Sequence, residues 1–251
     1  MNPFVFIYTE FLFRPIFNLL VIIANAVPGY NLGLAIIIVT IIIRVLLLPS
    51  SIHQAKQMSK NQGKMEKIKQ GTASIKEKHK DDQAKQAEET MKLYKEVGFN
   101  PVSGCLPLLI QLPIIIALYR VFLIGINPET FHYLYSFVSA PEVISSFFAG
   151  IDLQQPNIIF GVVAGIAQFV QMKMVTPPKA EPKKENDNDP AAMMSSMQKN
   201  MAYTIPAMTI FISLQLPAAL PLYWIISTLF GIGQQYYIKK ILGISMNQPV
   251  M

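Results

Sequence analysis

The chain has 251 residues, of which 52% are hydrophobic and only 14% charged, and its formal net charge is +6. A soluble domain carries roughly 25% charged residues, so this composition excludes an ordinary soluble domain and indicates a membrane protein. The single cysteine excludes an internal disulfide and a metal cluster built on thiolates.

The first 31 residues predict a separate amphipathic segment. In "FIYTEFLFRPIFNLLVIIANAV" the polar residues Glu10, Arg14 and Asn18 recur every four positions, which places them on one face of a helix. We therefore predict that segment 1–31 forms an amphipathic helix that lies along the outward-facing interface of the membrane. The alternative is that this segment forms a sixth span. An even number of spans would not agree with the orientation that the charges of the loops predict.

Five later stretches are apolar enough and long enough to cross a bilayer, which takes about 20 helical residues. The last two flank "PAALP", which predicts a tight hairpin of helices. Residues 32–251 are therefore predicted to form the core of an all-α integral membrane protein with five transmembrane helices. The predicted spans lie near 32–52, 104–126, 157–175, 202–217 and 219–238.

The loops between these spans predict the orientation of the chain. Residues 53–100 carry 11 lysines against 7 acidic residues, whereas residues 127–156 carry no lysine or arginine. The positive-inside rule places 53–100 and the C-terminus in the cytoplasm, and it places the N-terminus and 127–156 outside. Five spans with N-out and C-in ends agree with this assignment.

The long cytoplasmic loop is polar and rich in helix formers. We predict a helical hairpin from 53–79 and 83–97, with Gly98 as a C-cap and an interruption of the first helix at "QGTAS" (70–74). The composition of 177–200 predicts a flexible cytoplasmic loop.

Arg44 stands inside the first predicted span, in "TIIIRVLLLP". It precedes His53 by nine residues, about 13 Å of helix, which is roughly twice the reach of its side chain. A charge left in hydrocarbon costs from about 3 to more than 10 kcal/mol, and no acidic residue lies inside the five spans. A water-filled cavity open to the cytoplasm is therefore favoured over a snorkelling anchor. Water, lipid phosphate or a substrate would then be the partner of this arginine.

Other polar residues in the spans support a hydrated groove. Thr40 lies one turn from Arg44 on the same face, whereas Gly161 and Gly165 predict a packing notch. Singly, such polar residues are more often contacts between helices than parts of a site. The candidate groove residues, besides Arg44, are Thr40, Gln111, Gln168, Gln171, Ser213 and Ser227.

The chain lacks the short motifs of catalysis. It contains no G-x-x-x-x-G-K-[ST] loop and no H-E-x-x-H pair. We predict no enzyme activity, no cofactor and no metal site.

Three motifs carry a resemblance. The segments "GLAIIIVTIIIRVLLLP" (33–49), "NPVSGCLPLLIQLPIIIALYRVF" (100–122) and "LPAALPLYWIISTLFGIGQQYYI" (216–238) resemble signature segments of the YidC/Oxa1/Alb3 family of membrane protein insertases. The resemblance implies a five-helix core with a hydrophilic groove that is open to the cytoplasm and to lipid. It also implies that Arg44 is the groove arginine, that Thr40, Tyr223 and Trp224 contact substrate, and that the hairpin recruits substrate.

The function expected from this resemblance is insertion of small or single-spanning membrane proteins from the cytoplasm, without nucleotide hydrolysis. The expected partners are nascent or completed membrane proteins and the lipid bilayer. The ribosome and the Sec translocon are further candidates, and DNA is not. The expected location is the bacterial plasma membrane. The alternatives are a small anion transporter or channel, for which we find no internal repeat, and a structural subunit of a translocon.

Overall fold

The computed structural model describes residues 3–80, 82–99, 106–175, 190–241 and 243, and most of these residues are helical. A two-stranded antiparallel hairpin pairs β1 (Phe147–Phe148) with β2 (Ile151–Asp152). The helices, in chain order, are α1 (Pro3–Ala26), α2 (Leu32–Leu46), α3 (Leu48–Lys78), α4 (Gln83–Val97), α5 (Leu106–Ile124), α6 (Ile158–Val175), α7 (Pro190–Ser213) and α8 (Ala219–Lys240).

Helix α1 is continuous but contains a π-helical turn at Thr9–Phe13. Its polar residues contact each other and the loop 127–156: Arg14 pairs with Glu10 of the same helix at 2.7 Å and donates to the Tyr133 carbonyl at 3.2 Å, and Asn18 is buried. Its exposed side chains are apolar, with Phe4 81% and Phe11 75% exposed. The interfacial position of segment 1–31 stays a prediction.

The first predicted span, 32–52, is not one helix. Asn31 caps α2 by accepting a hydrogen bond from the Leu34 backbone N–H at 3.0 Å, and α2 ends at Leu46. A proline has no N–H to donate and its ring collides with the carbonyl four residues earlier. Pro49 therefore cannot continue α2, and α3 starts as a new helix at Leu48.

The predicted helical hairpin forms from α3 and α4, although α3 begins at Leu48 instead of at 53. Gly98 adopts the left-handed conformation at the end of α4, with φ 63°, which confirms it as the C-cap. The expected interruption at 70–74 is wrong, because α3 runs straight through this stretch. Gly71 lies directly against Leu93 of α4, and the Thr72 hydroxyl donates to the Ile68 carbonyl within α3. The small residue thus allows close packing between the two helices.

The helical hairpin predicted around "PAALP" also forms, but α7 ends at Ser213 and α8 starts at Ala219. Two backbone hydrogen bonds hold the connection in place: the Ala218 N–H donates to the Gln155 carbonyl and the Ala219 N–H to the Leu153 carbonyl, both at 3.0 Å. Residues 190–200, predicted as part of the loop 177–200, are the first turns of α7. The stretch 177–189 lies outside the described residues.

Within the described residues, α1 is long and apolar enough to cross a membrane. A second such element exists if α2 and the start of α3, through Gln57, are counted as one broken span. The shorter segments Gln111–Ile124 and Ile158–Met174 are also apolar. The five spans and their N-out, C-in orientation stay predictions.

The chain divides into two compact units. One comprises Met1–Leu48, Leu108–Gln171 and Pro206–Gly233, and the other comprises Pro49–Pro107, Met172–Ile205 and Gln234–Met251. The first unit contains the main apolar core, in which Phe17 of α1, Ile36 of α2, Leu118 of α5 and Leu220 of α8 are almost completely buried.

Candidate functional site

Arg44 lies in the last turn of α2 and is half-buried. Its Nε atom donates to the Ser227 hydroxyl of α8 at 2.8 Å, and Nη2 donates to the same oxygen. None of the ion pairs among the described residues involves Arg44. In the described part of the chain, the guanidinium is therefore held by a neutral hydroxyl, and no carboxylate neutralises its charge.

A second polar contact lies one turn away on α8. Tyr223 is buried, and its hydroxyl accepts a hydrogen bond from the Gln111 side chain of α5. Tyr223 and Ser227 stand four residues apart, so they share one face of α8. Arg44, Gln111, Tyr223 and Ser227 form what we call the polar cluster, which joins α2, α5 and α8.

Thr40 and Trp224, which the resemblance implies as substrate contacts, lie close to the polar cluster in sequence. Thr40 is 1% exposed, and its hydroxyl donates to the Ile36 carbonyl of its own helix at 2.6 Å. Trp224 is half-buried and packs against the apolar core. In this conformation the Thr40 hydroxyl donates its hydrogen bond within α2 and not to another helix.

The remaining predicted groove residues lie between α6 and its neighbours. Gln168 accepts a hydrogen bond from the Thr209 hydroxyl at 2.5 Å, and the buried Ser213 donates to the Thr209 carbonyl at 2.7 Å. The Gln171 amide lies against Gly231 of α8. Gln168 and Gln171 therefore contact neighbouring helices, the alternative that sequence reasoning weighs for such residues. The Ser213 hydrogen bond stays within α7, and the Ser213 Cβ atom lies close to Gly161 of α6.

Gly161 and Gly165 of α6 form the packing notch predicted from their spacing. A Cβ atom at Gly161 would lie 2.8 Å from the Ser213 Cβ atom, and one at Gly165 would lie 2.4 Å from an Ile210 side-chain carbon. Both distances are too short for ordinary carbon contacts, so the α6–α7 packing requires glycine at these positions.

Sequence reasoning missed the role of Asn18, which it placed on the polar face of segment 1–31, and it did not single out Arg120. Asn18 of α1 binds the backbone of Tyr133 and Tyr135, and Arg120 of α5 lies among aromatic rings. Arg120 is inside the predicted span 104–126, so the criterion that singled out Arg44 also applies to it. No pattern in the sequence indicates the partners of Asn18.

The described residues contain no group of three His, Cys, Asp or Glu side chains placed to hold a metal ion. Several charged groups of the hairpin have local partners, as Asp82 and Glu88 show. The Lys85 backbone N–H donates to the Asp82 side chain and lowers the pKa of that carboxyl group. A hydrogen bond from Lys92 lowers the pKa of Glu88.

Comparison with known proteins identifies the family. A family model described as "60Kd inner membrane protein" matches residues 22–245. The chain belongs to this family. The resemblance to the YidC insertases is therefore confirmed, and family membership makes the chain a membrane protein.

Relatives of the 60Kd inner membrane protein family cover most of the chain. The membrane protein insertase YidC of Fusobacterium nucleatum is 34% identical over 92% of this chain and 98% of that protein. The membrane protein insertase MisCB of Bacillus subtilis is 39% identical over 89% of this chain and 76% of that protein. The YidC insertase of Aquifex aeolicus is 36% identical over 83% of this chain, which corresponds to 35% of that longer protein.

Proposed function

We propose that this protein inserts small or single-spanning membrane proteins from the cytoplasm into the bacterial plasma membrane. The observation that carries the proposal is the half-buried Arg44, which is bound by the neutral Ser227 and has no carboxylate partner among the described residues. The names of the relatives, which are membrane protein insertases, support the same function.

The mechanism follows from the cost of moving a polar flank through lipid. A hydrophobic segment partitions into lipid spontaneously, whereas its polar flank meets a barrier. A hydrated groove that reaches Arg44 from the cytoplasm shortens the apolar path, and the cation attracts acidic residues in the flank. Hydration keeps this attraction modest, because water lowers the Coulomb energy between the charges. The flank can therefore leave the groove again.

Two energy sources drive the step without nucleotide. The apolar segment of the substrate gains free energy by sliding into lipid. The membrane potential adds about 2.3 kcal/mol per charge per 100 mV and favours outward movement of negative flanks. The polar cluster changes only its hydrogen bonds during this cycle: as the acidic flank binds Arg44, it replaces the Ser227 hydroxyl.

The proposed topology has five spans, with the N-terminus and 127–156 outside and the α3–α4 hairpin in the cytoplasm. The partners are newly made membrane proteins and lipid, with the ribosome and the Sec translocon as candidate donors of substrate. Gln168, Gln171 and Ser213 would shape the groove by fixing α6 against α7 and α8.

The test uses the purified protein in liposomes without nucleotide. The substrates are two single-spanning proteins that differ only in the translocated tail, one acidic and one neutral. Protease protection of the tail is compared for the unaltered protein, Arg44→Lys and Arg44→Ala. We expect protection of the acidic tail with arginine or lysine at position 44 and its loss with alanine. The neutral tail should be affected much less, because it gains nothing from the cation.

Equal protection of the acidic tail by all three proteins would contradict the role of the cation. An equal loss for both tails would indicate damage to the fold instead of a lost charge. No protection above empty liposomes would contradict independent insertion and would favour a transporter, a channel or a structural subunit of a translocon.

A further inference from the structure

Arg120 is a second cation in a predicted span. It lies four residues before the end of α5 at Ile124, about 6 Å along the helix axis from that end. The side chain is half-buried. With α5 spanning the bilayer as predicted, Arg120 lies near the depth at which lipid headgroups begin, toward the loop 127–156.

Aromatic rings and hydroxyl groups surround the guanidinium of Arg120. Its central carbon lies 4.5 Å from the ring centre of Phe13, 5.7 Å from that of Tyr133 and 5.9 Å from that of Tyr8. Nη2 donates to the Tyr133 hydroxyl at 3.2 Å, and Nη1 donates to the Thr9 hydroxyl at 3.4 Å. These contacts orient the cation, but every partner is neutral.

No carboxylate neutralises this charge among the described residues. Glu10, the neighbour of Thr9 on α1, is engaged by Arg14 at 2.7 Å. The ion pairs of the described chain do not include Arg120. A guanidinium has five N–H donors. The bonds to Tyr133 and Thr9 use two of them, and the neutral Tyr8 hydroxyl also interacts with Arg120. The remaining donors need an acceptor, and an anion satisfies both the donors and the charge.

The side chains beside Arg120 on α5 indicate where this anion comes from. Ile116, one turn before it, is 53% exposed, and Leu123, one turn after it, is 63% exposed. Residues three or four apart share a helix face, so Arg120 borders an exposed apolar stripe. In a membrane protein such a stripe faces lipid.

We propose that Arg120 binds the phosphate of a phospholipid headgroup, in the leaflet next to the loop 127–156. Guanidinium matches phosphate geometry with two parallel hydrogen bonds, and the Phe13, Tyr8 and Tyr133 rings hold the guanidinium plane in place. The bound lipid ties α1 and α5 to the headgroup layer. The proposal rests on the bilayer placement of α5 and does not require insertion activity.

The test measures lipid binding to the delipidated protein in detergent by native mass spectrometry. Phosphatidylglycerol and phosphatidylcholine share the phosphate and should both give a one-to-one adduct, whereas diacylglycerol should not. We expect Arg120→Gln to weaken the phospholipid adduct about tenfold, the loss of one charge-assisted contact. Arg120→Lys should weaken it less, because lysine keeps the charge and loses the paired geometry.

A matched control changes the neighbouring arginine together with its own partner. The double variant Glu10→Gln, Arg14→Gln removes a cation and an anion, so the local net charge is unchanged and binding should stay as in the unaltered protein. Equal binding by Arg120→Gln and the unaltered protein would overturn the proposal, and so would an equal loss in the double variant. Displacement of the lipid by millimolar inorganic phosphate would overturn the headgroup as the source and assign the site to a free anion. Because no substrate is present, failure of insertion would leave these results intact.

Discussion

Gly165 shows how one residue sets the distance between two helices. A Cβ atom there would lie 2.4 Å and 2.7 Å from Ile210 side-chain carbons and 3.1 Å from the Pro206 carbonyl oxygen. We expect Gly165→Ala to lower the free energy of unfolding by about 1–3 kcal/mol, the usual cost of overpacking. Thermal unfolding in detergent measures the change.

The same substitution at Gly233 of α8 is the matched control. A Cβ atom at Gly233 would meet nothing within 4 Å, and alanine is favoured over glycine in a helix by about 1 kcal/mol. Gly233→Ala should therefore leave stability unchanged or raise it slightly. A similar loss at both positions would mean that the α6–α7 contact does not depend on the notch.

The residue scale also shows how far sequence reasoning reaches. Arg44 can be singled out from the sequence, because a lone cation in an apolar stretch is costly wherever it lies. Ser227 is also a candidate from the sequence, but its contact with Arg44 cannot be predicted, because the two residues are 183 positions apart and the contact depends on the rotation of α2 and α8. The partner of Gln168 could not be predicted for the same reason: Gln168 accepts a hydrogen bond from Thr209 of a neighbouring helix. Periodicity indicates which side chains share one face of a helix, but it does not indicate which helices pack against each other.

At the scale of elements, α4 of the hairpin begins at a titratable cap. Asp82 accepts a hydrogen bond from the Lys85 backbone N–H at 3.0 Å, and this bond lowers the pKa of Asp82 below its usual value of 3.8. A group with a lowered pKa stabilises the folded state above its unfolded pKa, and this contribution is lost as the pH falls through the folded pKa. We therefore expect α4 to loosen below pH 3.8.

Hydrogen exchange of residues 83–97, followed from about pH 5 to about pH 2, measures this loss. Asp82→Asn is the matched control, since asparagine also caps helices but does not titrate in this range. The difference between the two proteins in hydrogen exchange should grow as the solution becomes more acidic. Both retain Glu88, so its own titration cancels. A constant difference would show that the cap contributes no pH dependence.

The bounds of the elements were predictable where local chemistry fixes them. The hairpin is an example, because Gly98 and the polar turn at its tip are visible in the sequence. The break at Leu47 and the continuity through Gly71 were not, because each reverses a simple expectation. At the break, the apolar run continues through Leu47 and Leu48 as far as Pro49, so hydropathy alone does not show where α2 ends. At Gly71, a glycine that weakens a helix by itself is retained by packing against Leu93.

At the scale of the whole molecule, the fold of the first unit depends on how α1 holds the loop 127–156. Asn18 is 1% exposed, donates to the Tyr133 carbonyl at 2.9 Å and accepts from the Tyr135 N–H at 2.7 Å. The spacing of Asn18 from Glu10 and Arg14 predicts an amphipathic surface. In the structure, Asn18 instead binds the backbone of the loop and attaches it to α1. No local pattern distinguishes these two roles, since both place polar residues on one helix face.

The last prediction tests this fastening. Asn18→Ala leaves the half-buried Tyr135 N–H without its acceptor, and a buried group left unsatisfied costs about 1–3 kcal/mol. We expect a lower unfolding temperature and faster hydrogen exchange at Tyr135. Asn18→Asp keeps an acceptor and should restore part of the protection at this amide. Asn25→Ala is the control on the same face of α1: Asn25 also donates to a loop carbonyl, that of Ser139 at 2.9 Å, but at an exposed site where water can replace the bond. Equal exchange at Tyr135 in Asn18→Ala and Asn25→Ala would show that α1 does not fasten the loop through Asn18.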